Sequence, residues 1–150
     1  MNETEIKLVI NKHIKAPVEK VYRAWTDPEI IKQWFVPDAS MTVAGARVEL
    51  KVGGQYRFHM HSLKEGSDHI VSGEYAQIIP NEKIVFSWKW KDGVDTSQVT
   101  IDLEPKGDDE TMLTLTHRGF SQQEFADKHN QGWSGCLANL AACMNKENPL

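Results

Sequence analysis

The stretch FSQQEFADKHNQGWSGCLANLAACM, residues 120–144, decides the fold. Ser121 and Glu124 have the spacing of a capping box, and Phe120 and Phe125 stand where a hydrophobic staple would close over it. Beyond them Trp133, Cys136, Leu137, Leu140, Cys143 and Met144 recur at helical spacing, so one stripe of a long helix is apolar. Gly132 and Gly135 lower helix propensity, which predicts a kink or break near residues 130–132. Asn148-Pro149 is the expected stop.

Almost everything before this helix reads as strand. Residues 6–14 alternate, with Ile6, Leu8, Ile10 and Ile14 on one face. Residues 40–43 and 47–52 read as one strand interrupted near Gly45, and Gly53-Gly54 marks a turn or bulge. Residues 55–62 put Tyr56, Phe58 and Met60 opposite Gln55, Arg57, His59 and His61. Residues 69–79 form the next strand, with a bulge expected at Gly73. Residues 83–90 carry Ile84, Phe86, Trp88 and Trp90 on one face, and residues 98–104 and 111–117 alternate in turn. Short connections between successive strands make them antiparallel neighbours.

Only residues 17–36 interrupt this series. Pro17 suits the first turn of a helix whose stripe is Val18, Val21, Tyr22 and Trp25. Asp27-Pro28 starts a second short helix that buries Ile30, Ile31 and Trp34 and ends by Pro37. The order is β-α-α-β-β-β-β-β-β-α, an α+β fold. An antiparallel sheet of six or seven twisted strands must curve and cover its apolar face with the one long helix. The gap between them is the natural place for a ligand.

Composition narrows the classes. The chain has 150 residues, 40% hydrophobic and 25% charged, which suits a single globular domain over residues 1–150. Its net charge of −4 and lack of a basic stripe argue against nucleic acid. No apolar run is long enough for a membrane span. The acidic N-terminus has no secretory h-region. Cys136 and Cys143 would lie about 10 Å apart along one helix, too far for a disulfide. Free thiols and no signal point to the cytoplasm.

Chemistry-bearing residues are few. His59 and His61 have metal-compatible spacing and His69 starts the next strand, but they lie on the polar face of the sheet and read as surface histidines. His117 shares its parity with Leu113 and Leu115 and should point inward at the cavity rim, as a ligand donor or general base. Glu74 is the other inward acid–base candidate. No nucleophile elbow, P-loop, zinc-protease helix or dinucleotide-binding glycine motif is present, so no catalytic residue, metal ligand or cofactor is assigned. The aromatic set of Trp34, Phe58, Tyr75, Phe86, Trp88, Trp90 and Trp133 can pack a core or line a pocket.

Four segments carry a resemblance. APVEKVYRAWTDPEIIKQW (16–34), GGQYRF (53–58), GEYAQIIPNEKIVFSW (73–88) and GWSGCLANL (132–140) look, in that order, like the motifs of the Hsp90 ATPase activator C-terminal domain family. That family sits in the SRPBCC (START/Bet v 1-like) superfamily. The resemblance implies the helix-grip fold with a cavity under the C-terminal helix. It implies an Hsp90-type chaperone as a partner, while the wider superfamily also holds ligand carriers and polyketide cyclases.

Three readings follow. The first is non-enzymatic binding of a small apolar ligand in the cavity. Its binding residues would be Trp34, Phe58, Met60, Tyr75, Phe86, Trp88, His117, Trp133 and Leu137. The second is a co-chaperone-like interaction module with a filled core. The third is a cavity enzyme of cyclase or hydrolase type. A cavity of roughly 300 Å³ or more would favour the first or third.

Overall fold

The structure, a computed structural model, describes residues 5–93 and 95–145. Residues 1–4 and the helix stop expected at Asn148-Pro149 lie outside them. Strand β1 (Lys7–Ile14) leads into helices α1 (Val18–Thr26) and α2 (Pro28–Trp34). Strands β2 (Met41–Val48), β3 (Gln55–Ser62), β4 (Asp68–Ile79), β5 (Lys83–Trp90), β6 (Ser97–Pro105) and β7 (Thr111–Arg118) follow, and α3 (Gln123–Asn145) closes the chain. The element order is the one the sequence predicts.

All seven strands form one antiparallel sheet in the order β1-β7-β6-β5-β4-β3-β2. Neighbours from β2 to β7 are consecutive in sequence. The exception is β1, which pairs with β7 from Lys7↔Arg118 to Ile14↔Thr111. The buried Thr111 hydroxyl donates to Ala16 O at 2.8 Å and ties the exit of β1 to β7.

Alternation sets the inner face. Tyr56, Phe58 and Met60 of β3, Ile84, Phe86 and Trp88 of β5, Val99, Ile101 and Leu103 of β6, and Leu113, Leu115 and His117 of β7 are buried. Helix α3 meets them with Trp133, Cys136, Leu137, Leu140 and Met144. Asp27 joins the short helices. Its N–H caps α1 through Arg23 O, and its Oδ1 accepts from Glu29 N at 2.9 Å at the start of α2. Across this corner the Trp34 indole N–H donates to Ala24 O at 2.9 Å. Pro17 is the N-cap of α1 and does not enter its first turn.

Three local expectations are corrected. First, the bulge in β4 falls at Ala76, where the register with β5 slips between Tyr75 and Gln77. Gly73 sits in regular pairing opposite Tyr56. It is there for close approach, since a Cβ would come within 1.9 Å of Ser87 O. Second, α3 is continuous through Gly132 and Gly135. A buried face running from Ala126 to Met144 outweighs the glycine penalty of about 1 kcal/mol per residue. Third, the capping box does not form. The Ser121 hydroxyl donates instead to Asp95 Oδ2 at 2.5 Å, and α3 starts at Gln123. Phe120 turns its ring onto His117, with centroids 4.4 Å apart. Elsewhere β2 is one strand with a register shift between Val43 and Gly45, and it ends at Val48.

Candidate functional site

The sheet curls away from α3 at one end, and a cavity of about 440 Å³ opens there. The sheet supplies Met60 from β3, His69 from β4, and Trp88 and Trp90 from β5. Helix α3 supplies Lys128, His129, Gly132, Trp133 and Cys136, which apart from Lys128 fall at i, i+3, i+4, i+7 on one face. Phe35, Pro37 and Met41 close the remaining side. Aromatic rings make the deep wall. Trp88 lies 5.0 Å from Trp133 and 5.5 Å from Trp90, and Phe35 lies 5.8 Å from Trp133, between ring centroids.

Two indole–imidazole hydrogen bonds bridge helix and sheet beside this wall. The Trp133 N–H of α3 donates to His117 Nδ1 of β7 at 3.0 Å. The Trp90 N–H of β5 donates to His129 Nε2 of α3 at 3.0 Å. An indole can only donate, so each acceptor nitrogen is unprotonated and each imidazole is neutral. The other nitrogens are also engaged. His117 Nε2 lies 2.7 Å from Ser97 Oγ, which faces Trp88 O at 3.4 Å, and His129 Nδ1 donates to Phe125 O at 2.8 Å. Burial holds both rings neutral. It pushes His117 down to about 3, with His129 adding to the effect, and it lowers His129 although the Phe125 bond opposes it.

The other buried titratable groups are equally quiet. Burial, with a smaller contribution from Asp38, pushes the Cys136 thiol up to about 12, so the thiolate nucleophile is absent near neutral pH. Tyr56 and Tyr75 are raised by burial, and the Tyr56 hydroxyl donates to Ser87 O at 2.6 Å. Cys136 and Cys143 are not disulfide-bonded to each other, as their spacing predicts, and the Cys143 thiol lies 3.6 Å from Gln33 Oε1.

Of the expected ligand-binding residues, Met60, Trp88 and Trp133 line the cavity. The others pack elsewhere. Trp34 is pinned to α1. Phe58 packs between Phe35 and Tyr56, at 4.8 and 4.9 Å. Tyr75 and Phe86 cluster with Tyr56 farther along the sheet, at 5.7 and 5.2 Å. Leu137 is core. His117 does point inward, but it is completely buried behind the wall, not at a rim. Glu74 is exposed on the outer face, because its neighbour Tyr75 takes the inner one.

Sequence reasoning missed Phe35, Pro37, Met41, His69, Lys128, His129, Gly132 and Cys136 as lining. The helical spacing of His129, Gly132, Trp133 and Cys136 carried the missing signal. The stripe needed extending one turn towards the N-terminus. His69 was grouped with His59 and His61, but it faces the other way. Those two share one partner, each with a ring nitrogen 2.9 Å from Asp68 Oδ1, and their hydrogen bonds lower the Asp68 carboxyl. Among the described residues no three His, Cys, Asp or Glu side chains are placed to hold a metal.

A second depression, of about 700 Å³, lies on the outer face of the sheet over β4 to β7. It is lined by polar side chains such as Gln77, Gln98 and Thr116, with Lys83 and Asp102 3.6 Å apart. It lacks the concave apolar wall of a ligand site.

A curled seven-stranded antiparallel sheet gripping one long C-terminal helix, with two short helices after the first strand, is the helix-grip fold. Residues 15–145 match the family described as activator of Hsp90 ATPase homolog 1-like protein, and the chain belongs to that family. It is 29% identical over 130 residues to the human activator of 90 kDa heat shock protein ATPase homolog 1, covering 85% of this chain and 33% of that one. It therefore spans about a third of the length of the curated relatives it matches. Among solved structures, a protein from Chromobacterium violaceum superposes with a TM-score of 0.86 at 24% identity, covering 95% of this chain and 99% of that one. A protein of the same family from Silicibacter pomeroyi gives a TM-score of 0.83 at 26% identity, with 95% and 99% covered. No helix among the described residues is long and apolar enough to cross a membrane.

Proposed function

We propose that the chain binds a small apolar molecule in the cavity between the sheet and α3, without transforming it. The observation that carries this reading is a pocket of about 440 Å³ left open in an otherwise dense aromatic core. Natural ligand sites fall in a range of roughly 300–1,000 Å³ with mostly apolar walls. Met60, Trp88 and Trp133, with Phe35 and Trp90, supply the contact area. Binding is favoured over catalysis because the acid–base groups buried in and behind the wall are engaged. Both nitrogens of His117 and of His129 are hydrogen-bonded within the protein, and the Cys136 thiol stays protonated. The lack of a disulfide between Cys136 and Cys143 fits a cytoplasmic setting.

The test is tryptophan-quenching titration with a panel of apolar ligands, with native mass spectrometry of the purified protein for anything that co-purifies. Saturable quenching that is lost on Gly132→Leu is the expected result. A clean apo mass and no saturable quenching would overturn the reading.

A second reading rests on the family and on the relatives' names. It makes the chain a co-chaperone-like partner of an Hsp90-type chaperone. Its test is the ATPase rate of the chaperone from the same cell, with and without this protein. An unchanged rate and no binding would end it.

A further inference from the structure

We propose, resting on the pocket reading above, that the ligand is an apolar acid: a hydrocarbon or aryl body carrying one anionic group, held at the mouth by Lys128. The argument starts with what the wall can offer. The indole N–H groups of Trp90 and Trp133 are spent on His129 and His117, and those imidazoles are saturated in turn. The Trp88 indole N–H has no partner among the described residues, but it is buried out of reach of solvent and so is sealed from the cavity. A polar group carried into the depth of the pocket would exchange its water for no partner, which is costly. The buried part of the ligand is therefore apolar throughout, and any polar group stays at the mouth.

The lining itself carries a cation, while the carboxylate of Asp38 lies within electrostatic reach of Cys136. The lining contains no carboxylate, and its side chains able to carry positive charge include Lys128 and His69. Lys128 does have an anionic neighbour, Glu124, with Nζ and Oε2 3.6 Å apart one helical turn away. Both side chains are about two-thirds exposed or more, at 71% and 65%, so water screens the pair and a ligand anion displaces it at little cost. His69 stands on the opposite lip with Nε2 3.2 Å from Ser67 Oγ. A cation at the mouth would instead meet the Lys128 ammonium.

The probes are decanoate and decanamide, matched in length and differing in charge, titrated by calorimetry into the intact protein. The acid should bind about three- to fivefold tighter than the amide, the size of one exposed charge pair. That preference should shrink with added salt and vanish in Lys128→Gln, an exposed substitution that leaves the apolar wall intact. Equal affinity for acid and amide would overturn the head-group assignment while leaving the pocket reading standing. A preference that survives in Lys128→Gln would overturn the role of Lys128. Failure of both probes to bind would overturn the pocket reading, and this inference with it.

Discussion

His117 is held by two neighbours that fix its chemistry. Trp133 occupies Nδ1 as a donor, so the remaining proton sits on Nε2 and faces Ser97 Oγ. This makes His117 a structural strut between β7 and α3, with neither nitrogen free for a ligand. Replacing it removes both partners at once. His117→Leu should cost about 2 kcal/mol or more, since each buried polar group left unpaired costs about 1–3 kcal/mol. Urea unfolding measures this, and a change within error would mean that the network adds nothing to stability.

The elements turn on two glycines one helical turn apart. Gly135 is obligatory, because a Cβ there would stand 2.0 Å from Pro37 O, where α3 passes against the segment after α2. Gly132 is optional for packing, because its Cβ position has nothing within 4 Å and opens into the cavity. Gly132→Ala should therefore raise stability by about 0.5–1 kcal/mol through helix propensity. Gly135→Ala should lower it, by an overpacking cost of about 1–3 kcal/mol. Thermal melts of the two variants should move in opposite directions, and shifts of the same sign would contradict this helix register. At the corner of the short helices, Asp27→Ala should cost about 1 kcal/mol, the loss of an N-cap acceptor, read by the same melts. These elements were largely legible from sequence, because alternation, Asp27-Pro28 and the Trp133–Met144 stripe are local patterns. The site was legible only in part. Met60, Trp88 and Trp133 look no different in sequence from Phe58, Phe86 and Leu137, since all are apolar residues of inward parity or helical spacing. Where along the sheet the curl leaves a gap is not a local property.

At the scale of the whole molecule, buried neutral histidine makes the fold acid-sensitive. His117 is depressed to about 3 in the folded state, against an ordinary value near 6.5 when unfolded. Between those values the unfolded chain binds a proton that the native state refuses. Stability is therefore full above about pH 6.5 and falls as pH drops towards 3, by up to about 1.4 kcal/mol per pH unit for this group. His129, shifted in the same direction, adds to the fall. The lowered carboxyls of Asp38 and Asp68 contribute only at lower pH, because their native hydrogen bonds are lost as those groups protonate. The urea midpoint should thus decline already between pH 6.5 and 5, and less steeply in His117→Leu. A midpoint that is flat there would contradict the buried neutral histidine.

The sequence by itself determined the elements, their order, the inner and outer faces and the family. Each of these rests on periodicities of two or 3.6 residues, or on motifs read within a few dozen residues. Tertiary structure alone decided that β1 closes the sheet against β7, that α3 runs unbroken past two glycines, and that Ser121 leaves its cap for Asp95. It also decided which aromatic residues face empty space and which face one another. Those outcomes are set by contacts between residues far apart in the chain. Burial of a long helix face outweighs a local propensity of about 1 kcal/mol, and a cavity exists only as the mismatch between a curved sheet and the helix it grips.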